Sequence, residues 1–516
     1  MAIRIYDTLT RQLQELPLPA QQPELKMYVC GPTVYDDPHI GHARSAYVFD
    51  VIRRYLEYRG YKVTFVRNVT DVDDKIIAKA SQEKRTTEQV AGHYLETYHA
   101  AMSQLGLLPP TKEPKATEHI PQMQQLIKAL VRKGSAYVAA NGDVYFAVRA
   151  FNGYGKLSNR SVDELESGAR VEPGEEKRDP LDFALWKAAK PGEPQWSDQT
   201  PDEQPALVPG RPGWHIECSA MSMQYLGETF DIHGGGVDLV FPHHENEVAQ
   251  SQAFTGNPHS FAKYWIHNGL LTINGQKMSK SLGNFVTIDQ ALGKLRQRLD
   301  RDAFGDETNA LKLFFLGAHY RSPMDYSDSN MDAAVKSLIG LRPIEDIHSF
   351  RMQLEDYYSS IPPVTPKSSI GELDVHRQEF EGAMDNDFNT PQALAVLHKL
   401  IKVMYKCSEE KYSMQIKVVG SPPLSDEEIR QVQGLLRRYL EAADLLSELG
   451  GVLGLQLREN LVKPSSDQNS LLQKREEFRK QKKFAEADKI RKQFDEMGLV
   501  VEDTSHGPVI RRKVGR

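Results

Sequence analysis

The stretch Tyr28-Val-Cys-Gly-Pro-Thr-Val-Tyr-Asp-Asp-Pro-His-Ile-Gly-His42 constrains this chain more than any other. It joins a strand end, a thiol, a Gly-Pro bend and a paired-histidine turn. Lys26 to Val29 reads as a short buried strand. Over residues 43–59, Val48, Val51, Ile52, Tyr55 and Leu56 recur at three- and four-residue spacing, which predicts an amphipathic helix closed by Gly60. Lys62 to Val66 reads as a second strand, with Asn68 and Thr70 at its C-terminal end and a helix from Asp73 onward. Strand, helix, strand in under fifty residues is a βαβ unit, so the fold class is α/β. Open parallel sheets bind ligands outside the carboxyl ends of their strands. Cys30 and His39-Ile-Gly-His42 are therefore placed at a ligand crevice.

A chain of 516 residues accommodates three or four domains with their own cores. The formal net charge of −6 argues against wholesale coating of nucleic acid and leaves room for a local basic surface. No stretch approaches the ~20 apolar residues of a membrane span, and the N-terminus has no apolar signal core, so the expectation is a cytoplasmic protein without a membrane partner. Three cysteines, Cys30, Cys218 and Cys407, suit a reducing compartment and leave metal ligand, nucleophile or core thiol as their roles. Cys407, on an amphipathic helix, reads as a core thiol.

Asp71, Asp73 and Asp74 suggest a divalent-metal cluster or, more simply, capping of the helix that follows. Helical periodicity covers Thr87–Leu107 and Glu118–Arg132, and Asn141-Gly142 between two short apolar runs predicts a hairpin. Residues 115–210 then read as an insertion, with a proline-rich polar stretch over 187–212 expected to be a mobile loop. Four polar motifs follow closely: Trp214-His-Ile-Glu-Cys218, Asp231-Ile-His-Gly-Gly-Gly236, Phe241-Pro-His-His-Glu-Asn-Glu247 and, after an Asn274-Gly275 turn, Lys277-Met-Ser-Lys-Ser281. Beyond Asp289 the pattern is helical: Ala310–Leu316, Asn330–Leu341, Asp374–Met384, Thr390–Met404 and Asp426–Leu449. Tyr358–Ile370 and Val419–Leu424 are Pro/Ser-rich connections, and Leu471–Met497 reads as one highly charged helix before a short strand at Leu499 and a basic ending.

The chemistry lies in combinations. HxGH alone is a common string, and Lys277 or Lys280 alone is an ordinary surface cation. Together, about 235 residues apart on an α/β framework, the paired imidazoles at a helix N-terminus and the two lysines on a turn can grip a triphosphate and stabilise its charge during displacement. The run Gly234-Gly235-Gly236 after His233 suits either a tight turn or close backbone approach to a nucleoside. If a helix begins near Pro242, His243 and Glu247 share a face, and His244 points away from that pairing. Cys30, Cys218, His243 and Glu247 then form a four-ligand zinc site. A substrate thiolate is a far better zinc ligand than a hydroxyl, so the site would select cysteine over serine without a hydrolytic second sieve.

These motifs, together with Arg67-Asn-Val-Thr-Asp-Val-Asp-Asp-Lys75, Phe380-Glu-Gly-Ala-Met-Asp-Asn-Asp-Phe-Asn-Thr-Pro391 and Phe484-Ala-Glu-Ala-Asp-Lys-Ile-Arg491, make the chain resemble the cysteinyl-tRNA synthetases, a class I aminoacyl-tRNA synthetase family, along nearly its whole length. The resemblance implies a Rossmann-like catalytic domain in two halves (1–114 and 211–270), an inserted connective domain (115–210), a stem-contact region with the KMSKS loop (271–328), an all-α DALR-type bundle (329–462) and a small C-terminal anticodon-binding domain (463–516). It implies ATP contacts from His39, Gly41, His42, His233, Gly234, Gly235, Gly236, Lys277, Ser279 and Lys280, with His39, His42, Lys277 and Lys280 catalytic. Gly31, Thr70, Trp214 and His233 would line the amino-acid pocket. Zn2+, Mg2+ with ATP, L-cysteine and tRNA-Cys are the implied cofactors and partners, and a monomer the implied state. The Pro/polar extensions at Asp198–Val208 and Tyr358–Ile370 depart from the family pattern. Two other readings stay open here: a ligase joining cysteine to an amino sugar, which would lack the tRNA-binding end, and an inactive RNA-binding relative. Nine Lys/Arg against six Asp/Glu over 471–497 suit an ordinary solvated charged helix or a tRNA-binding end, and it is the family resemblance that implies the latter.

Overall fold

A computed structural model describes all residues except 1, 163, 165–175, 280–281, 300–305, 342–369, 419–425, 458–464, 505–506 and 513–516. Thus Lys280, the connection at 358–369, Val419–Leu424 and the last basic residues lie outside the described residues. The chain forms two compact units, one of residues 1–291, 318–327 and 382–390, the other of 292–317, 328–381 and 391–516.

In chain order the first unit contains β1 (Arg4–Asp7), β2 (Gln12–Glu15), β3 (Glu24–Val29), α1 (Ile40–Tyr58), β4 (Lys62–Arg67), α2 (Asp74–Glu83), α3 (Thr87–Gln104), α4 (Ile120–Arg132), β5 (Ala136–Val138), β6 (Val144–Phe146), β7 (Phe183–Ala188), β8 (Gly210–Pro212), α5 (Trp214–Leu226), β9 (Thr229–Gly236), α6 (Glu245–Thr255), β10 (Phe261–Asn268), β11 (Leu271–Ile273), β12 (Gln276–Lys277) and β13 (Met324–Tyr326). The βαβ unit expected from the sequence is β3-α1-β4, and the central sheet is parallel in the order β10-β9-β3-β4. From β3 the chain crosses to β4 on one side, while β9 lies on the other. The switch point is therefore between β3 and β9, and Cys30 and Gly234–Gly236 stand at its two carboxyl ends. The apolar face of α1 (Val48, Phe49, Val51, Ile52, Tyr55 and Leu56) is buried, which fixes the helix on the sheet.

Asp73 caps α2, its side chain accepting from the Lys75 amide. Asp71 instead takes the Thr117 amide and hydroxyl, and Asp74 pairs with Lys187 and Arg211, so the three carboxylates are used separately. The insertion carries the antiparallel sheet β5-β6-β7-β8, with the Asn141-Gly142 hairpin between its first strands. The stretch 187–212, expected to be mobile, has an internal anchor. Lys128 of α4 is fully buried, and its ammonium donates to Asp198 Oδ1 at 2.7 Å, Thr200 Oγ1 at 3.1 Å and the Glu203 carbonyl at 3.0 Å. Proline and polar residues exclude regular structure; they say nothing of a buried cation supplied by another element.

The turn at Asn274-Gly275 has both residues at positive φ (49° and 76°), as a two-residue hairpin demands. It joins β11 to β12, and β11 also pairs in parallel with β13.

The second unit holds α7 (Ile288–Arg298, from Leu292 on), α8 (Asp306–Leu316), α9 (Asp328–Leu341), α10 (Ile370–Asp385, up to Glu381), α11 (Thr390–Val418, from Pro391 on), α12 (Asp426–Val452), α13 (Ser466–Lys480), α14 (Phe484–Glu496), β14 (Leu499–Thr504) and β15 (Gly507–Arg512). The single charged helix expected over 471–497 is two helices, α13 and α14. Lys482 adopts φ 57°, and the Lys483 amide reaches back to the Phe478 carbonyl. The break folds Ile490 and Phe494 onto Leu472, Leu499, Val501 and Ile510, the small core of the C-terminal end. A continuous helix would leave those side chains in water.

Candidate active site

Four side chains converge at the carboxyl end of β3. Cys30 follows the strand, Cys218 lies on the buried face of α5, and His243 and Glu247 flank the start of α6. One donor atom from each lies within 4.8 Å of all the others. The separations are 3.7 Å between the two sulfurs, 3.5 Å from Cys30 Sγ to Glu247 Oε1 and 3.1 Å from His243 Nε2 to Glu247 Oε1. A tetrahedron with zinc–sulfur bonds of ~2.3 Å and zinc–nitrogen or –oxygen bonds of ~2.0 Å has edges of about 3.8, 3.5 and 3.3 Å for those pairs. The donor set thus fits zinc in both chemistry and spacing. Two of the donors already carry a ligand's charge and two do not: burial and the neighbouring Cys218 and Glu247 push the Cys30 thiol well above its ordinary value, and against burial Glu247 and Cys218 raise His243 to about 10, so these two would each shed a proton to a bound ion. Burial opposes ionisation of Glu247 and Cys218, but His233 and His243 outweigh it for the carboxylate, held down at about 2, and the Cys30 hydrogen bond and His243 do so for the thiol, lowered to about 6.

His244 does not point away. Its Nε2 is 3.3 Å from Cys30 Sγ and 4.0 Å from Glu247 Oε1, and Cys30, His233, His244 and Glu247 form a second cluster that could hold an ion. His244 stands three residues before Glu247, and i and i+3 share a helical face as i and i+4 do, so the carboxylate meets both histidines; Val240–His244 form a π-type turn in which Phe241 has φ −136° and ψ 132°. The outer bonds separate their roles. His243 Nδ1 meets His215 Nδ1 at 3.0 Å, His244 Nδ1 meets His267 Nε2 at 2.7 Å, His267 Nδ1 meets Thr8 Oγ1 at 2.8 Å, and His233 Nε2 meets the second oxygen of Glu247 at 2.8 Å. This histidine layer, buried except for the half-buried His215, orients the ligands from behind. His215, three residues before Cys218 on one helical face, could have been found by its spacing; His267 is brought in by the parallel register of β10 on β9, which leaves no local signal.

His39 is the N-cap of α1. Its Nδ1 accepts from the Gly41 and His42 amides at 3.1 and 3.3 Å, while His42 Nδ1 accepts from the His39 amide at 3.4 Å. Both imidazoles therefore carry their proton on Nε2. The rings stack with centroids 3.7 Å apart. Burial lowers His39 to about 4 and pushes His42 well below its ordinary value, so both are neutral donors. The Ile40 amide is bonded to the Val286 carbonyl. The first helical amides are thus occupied, and the Nε2–H groups, rather than the helix N-terminus expected from the sequence, are the donors this turn can offer an anion.

The KMSKS segment lies against this turn. Val286 and Ile288 pair with Ile40 and Pro38 at 3.1 Å each, Phe285 sits edge-on to the His39 ring, and a Cβ on Gly41 would lie 3.5 Å from the Met278 methyl. Asn284 clasps the loop, accepting from the Ser279 amide and donating to the Lys277 carbonyl. Lys277 is exposed.

Other predicted residues divide. Trp214 is 38% exposed, with its ring 4.1 Å from that of His243. Thr70 is buried and donates to Glu217 Oε2 at 2.9 Å. Gly31 is required by close passage, since a Cβ there would strike the Asn68 carbonyl at 1.6 Å. His233 is fully buried behind Glu247, stacked on Trp265 at 4.4 Å. The glycine run is the end of β9 and not a tight turn. A Cβ on Gly234 would meet the Phe49 ring at 2.3 Å and one on Gly235 the His244 ring at 2.9 Å, so internal packing already explains both.

The depressed histidines fix the sign of one pH effect. At pH above ~6.5 His39 is neutral folded and unfolded; below it the unfolded chain takes up a proton that the folded chain refuses until about pH 4. Stability should fall as pH drops through that window. His39→Asn keeps a capping oxygen but binds no proton, so its melting temperature should decline less steeply between pH 6.5 and 4; an unchanged slope would refute the neutral assignment.

The chain matches the family tRNA synthetases class I (C) catalytic domain over residues 17–336, the DALR domain over 379–458 and the Cysteinyl-tRNA ligase anticodon binding domain over 464–511. It is 44% identical to the Cysteine–tRNA ligase of Thermodesulfovibrio yellowstonii over 99% of this chain and 100% of that one, and 45% identical to that of Syntrophotalea carbinolica over 98% and 99%. The Aquifex aeolicus Cysteine–tRNA ligase is 43% identical with full coverage of both. Among solved structures, Mycobacterium tuberculosis methionyl-tRNA synthetase in complex with methionyl-adenylate superposes with a TM-score of 0.61 at 14% identity, covering 84% of this chain and 92% of that one, which speaks to the fold. The match at 464–511 supplies the end that an amino-sugar ligase was expected to lack. Among the described residues no helix is long and apolar enough to cross a membrane. With a catalytic family matched over most of its length and relatives aligned end to end, the chain belongs to the cysteine–tRNA ligases, a family of class I tRNA synthetases.

Proposed function

We propose that this enzyme activates L-cysteine with ATP, accompanied by Mg2+, and transfers it to the 3′-terminal ribose of tRNA-Cys, selecting its amino acid by the thiol and without an editing domain. The observation that carries the reading is the Cys30-Cys218-His243-Glu247 cluster, set at the sheet's switch point against Trp214. Those four residues would hold zinc, which when bound supplies a soft Lewis acid preferring a substrate thiolate to serine's hydroxyl. Trp214, Thr70 and Gly31 would close the amino-acid pocket.

In the first step a cysteine carboxylate oxygen attacks the α-phosphorus of ATP and the bond to pyrophosphate breaks. His39 and His42, neutral and protonated on Nε2, donate to the phosphate oxygens as charge develops, and Lys277 and Lys280 complete the grip. In the second step the terminal ribose hydroxyl, first the 2′ by family analogy, attacks the activated carbonyl and AMP leaves. No protein nucleophile is needed. For the RNA, Phe484 is 60% exposed at the start of α14, next to Lys482 and Lys483, an aromatic face among cations suited to a splayed base.

The test is transfer of labelled cysteine onto unfractionated tRNA, counted as nuclease-sensitive acid-precipitable label, with serine as control. Charging with cysteine alone is expected, and Phe484→Ala should raise the KM for tRNA roughly tenfold, the worth of one stacked base. Cysteine-dependent pyrophosphate exchange without charging would defeat the tRNA reading.

A further inference from the structure

Arg44 lies two residues past His42 on α1 and is 1% exposed. Its guanidinium donates to four main-chain carbonyls: Nη1 to Gly269 at 2.9 Å and Leu270 at 2.7 Å, Nη2 to Tyr320 at 3.3 Å and Ser322 at 2.5 Å. Among the described residues no carboxylate pairs with it. A buried cation satisfied only by backbone is a costly way to fill space, and a leucine would pack more cheaply. What it holds is specific. Residues 269–270 lead into β11 and 320–322 into β13, the two strands that carry β12 and Lys277.

The two strand roots touch. The Gly269 amide donates to the Tyr320 carbonyl at 2.9 Å, and a Cβ on Gly269 would lie 2.3 Å from the Ser322 carbonyl oxygen. From the other side Asp387 accepts from the Tyr320 hydroxyl and from Arg321 Nε, both at 2.7 Å. The far arm of the loop is tied to the HxGH turn through Val286 and Ile288. The arm at Lys277 and the arm at Phe285 therefore each lead to an anchor, and both anchors are fastened at the start of α1.

We infer that Arg44 is a positioning residue that sets the KMSKS platform against the HxGH imidazoles during adenylate formation. The inference rests on the proposed function. Lysine has no planar fork and cannot serve four carbonyls, so Arg44→Lys should lower the kcat of cysteine-dependent ATP–pyrophosphate exchange about 10- to 100-fold, as displacement of a catalytic group by an ångström does. Zinc content should hold, and the KM for cysteine should stay within about twofold, because the loss is confined to the transition state. The decisive readout is a double-mutant cycle. Lys277→Ala should cost several-fold less kcat in the Arg44→Lys background than in the parent, since a misplaced lysine has less to lose.

Multiplicative losses, or loss of zinc and cysteine binding together with kcat, would mark Arg44 as merely structural and overturn the inference. Gly269→Ala, which wedges the two roots apart without altering charge, should give the same non-additivity with Lys277→Ala; it decides the matter if Arg44→Lys yields no folded protein. A parent without cysteine-dependent exchange would remove the proposed function and this inference with it, whereas an active parent with multiplicative losses overturns the inference alone.

Discussion

Cys218→Ser is expected to leave a folded protein that retains no zinc and activates cysteine at least about 100-fold more slowly. The substitution is nearly isosteric and Cys218 sits in the main apolar core, so packing survives. What changes is the donor. Cys218 is lowered to about 6 although burial opposes it, because Cys30 and His243 hydrogen-bond and attract its anion. A serine hydroxyl stays protonated in the same surroundings and is a hard, weak ligand for zinc. Loss of a direct ligand should exceed the roughly 10- to 100-fold in metal affinity that loss of an outer partner costs. Metal content per chain by atomic emission, beside cysteine-dependent pyrophosphate exchange, checks it. One zinc per chain in the purified variant would remove Cys218 from the ligand set and move the ion to the overlapping cluster of Cys30, His233, His244 and Glu247.

That overlap shows how far the sequence reads. His243 and Glu247 are four residues apart, and their 3.1 Å contact follows from spacing alone. His244 is three residues before Glu247, a spacing that also sets two side chains on one helical face, so the expectation that it points away does not hold and its approach was equally legible. The βαβ unit, both Asn-Gly hairpins and the cap at Asp73 were legible because each depends on neighbours in sequence. The inward turn of His267, the anchoring of Asp198 by Lys128 and the four carbonyls on Arg44 depend on contacts 23, 70 and up to 278 residues apart. The break at Lys482 has a different cause. Nothing at Gln481-Lys-Lys483 disfavours a helix, and the gain comes from burying Ile490 and Phe494, a tertiary return that propensity does not see. The glycine run was legible as a requirement for close approach but not for the approaching group, which for Gly234 is Phe49 of α1.

Gly41→Ala should be nearly as damaging to activation as removal of an imidazole. A Cβ at position 41 would lie 2.9 Å from both Cε1 and Nδ1 of His39. Real Cβ atoms do not approach so closely, so the ring must swing. Swinging breaks the bonds that His39 Nδ1 accepts from the amides of residues 41 and 42, and it opens the 3.7 Å stack on His42. The added methyl also comes within ordinary contact of the Met278 side chain, which leaves the ring no easy refuge on the KMSKS side. Once Nδ1 is released, the tautomer that fixes the proton on Nε2 is no longer enforced, and the donor aimed at the phosphate is lost in orientation and in protonation together. Helix propensity works the other way, since alanine is the better helix former. The variant should therefore keep its melting temperature to within a few degrees while its kcat for pyrophosphate exchange falls roughly 100-fold, a split that packing damage alone does not produce. Activity within about threefold of the parent would mean that the HxGH turn tolerates a side chain at its centre, and that the capping geometry of His39 is incidental to the chemistry.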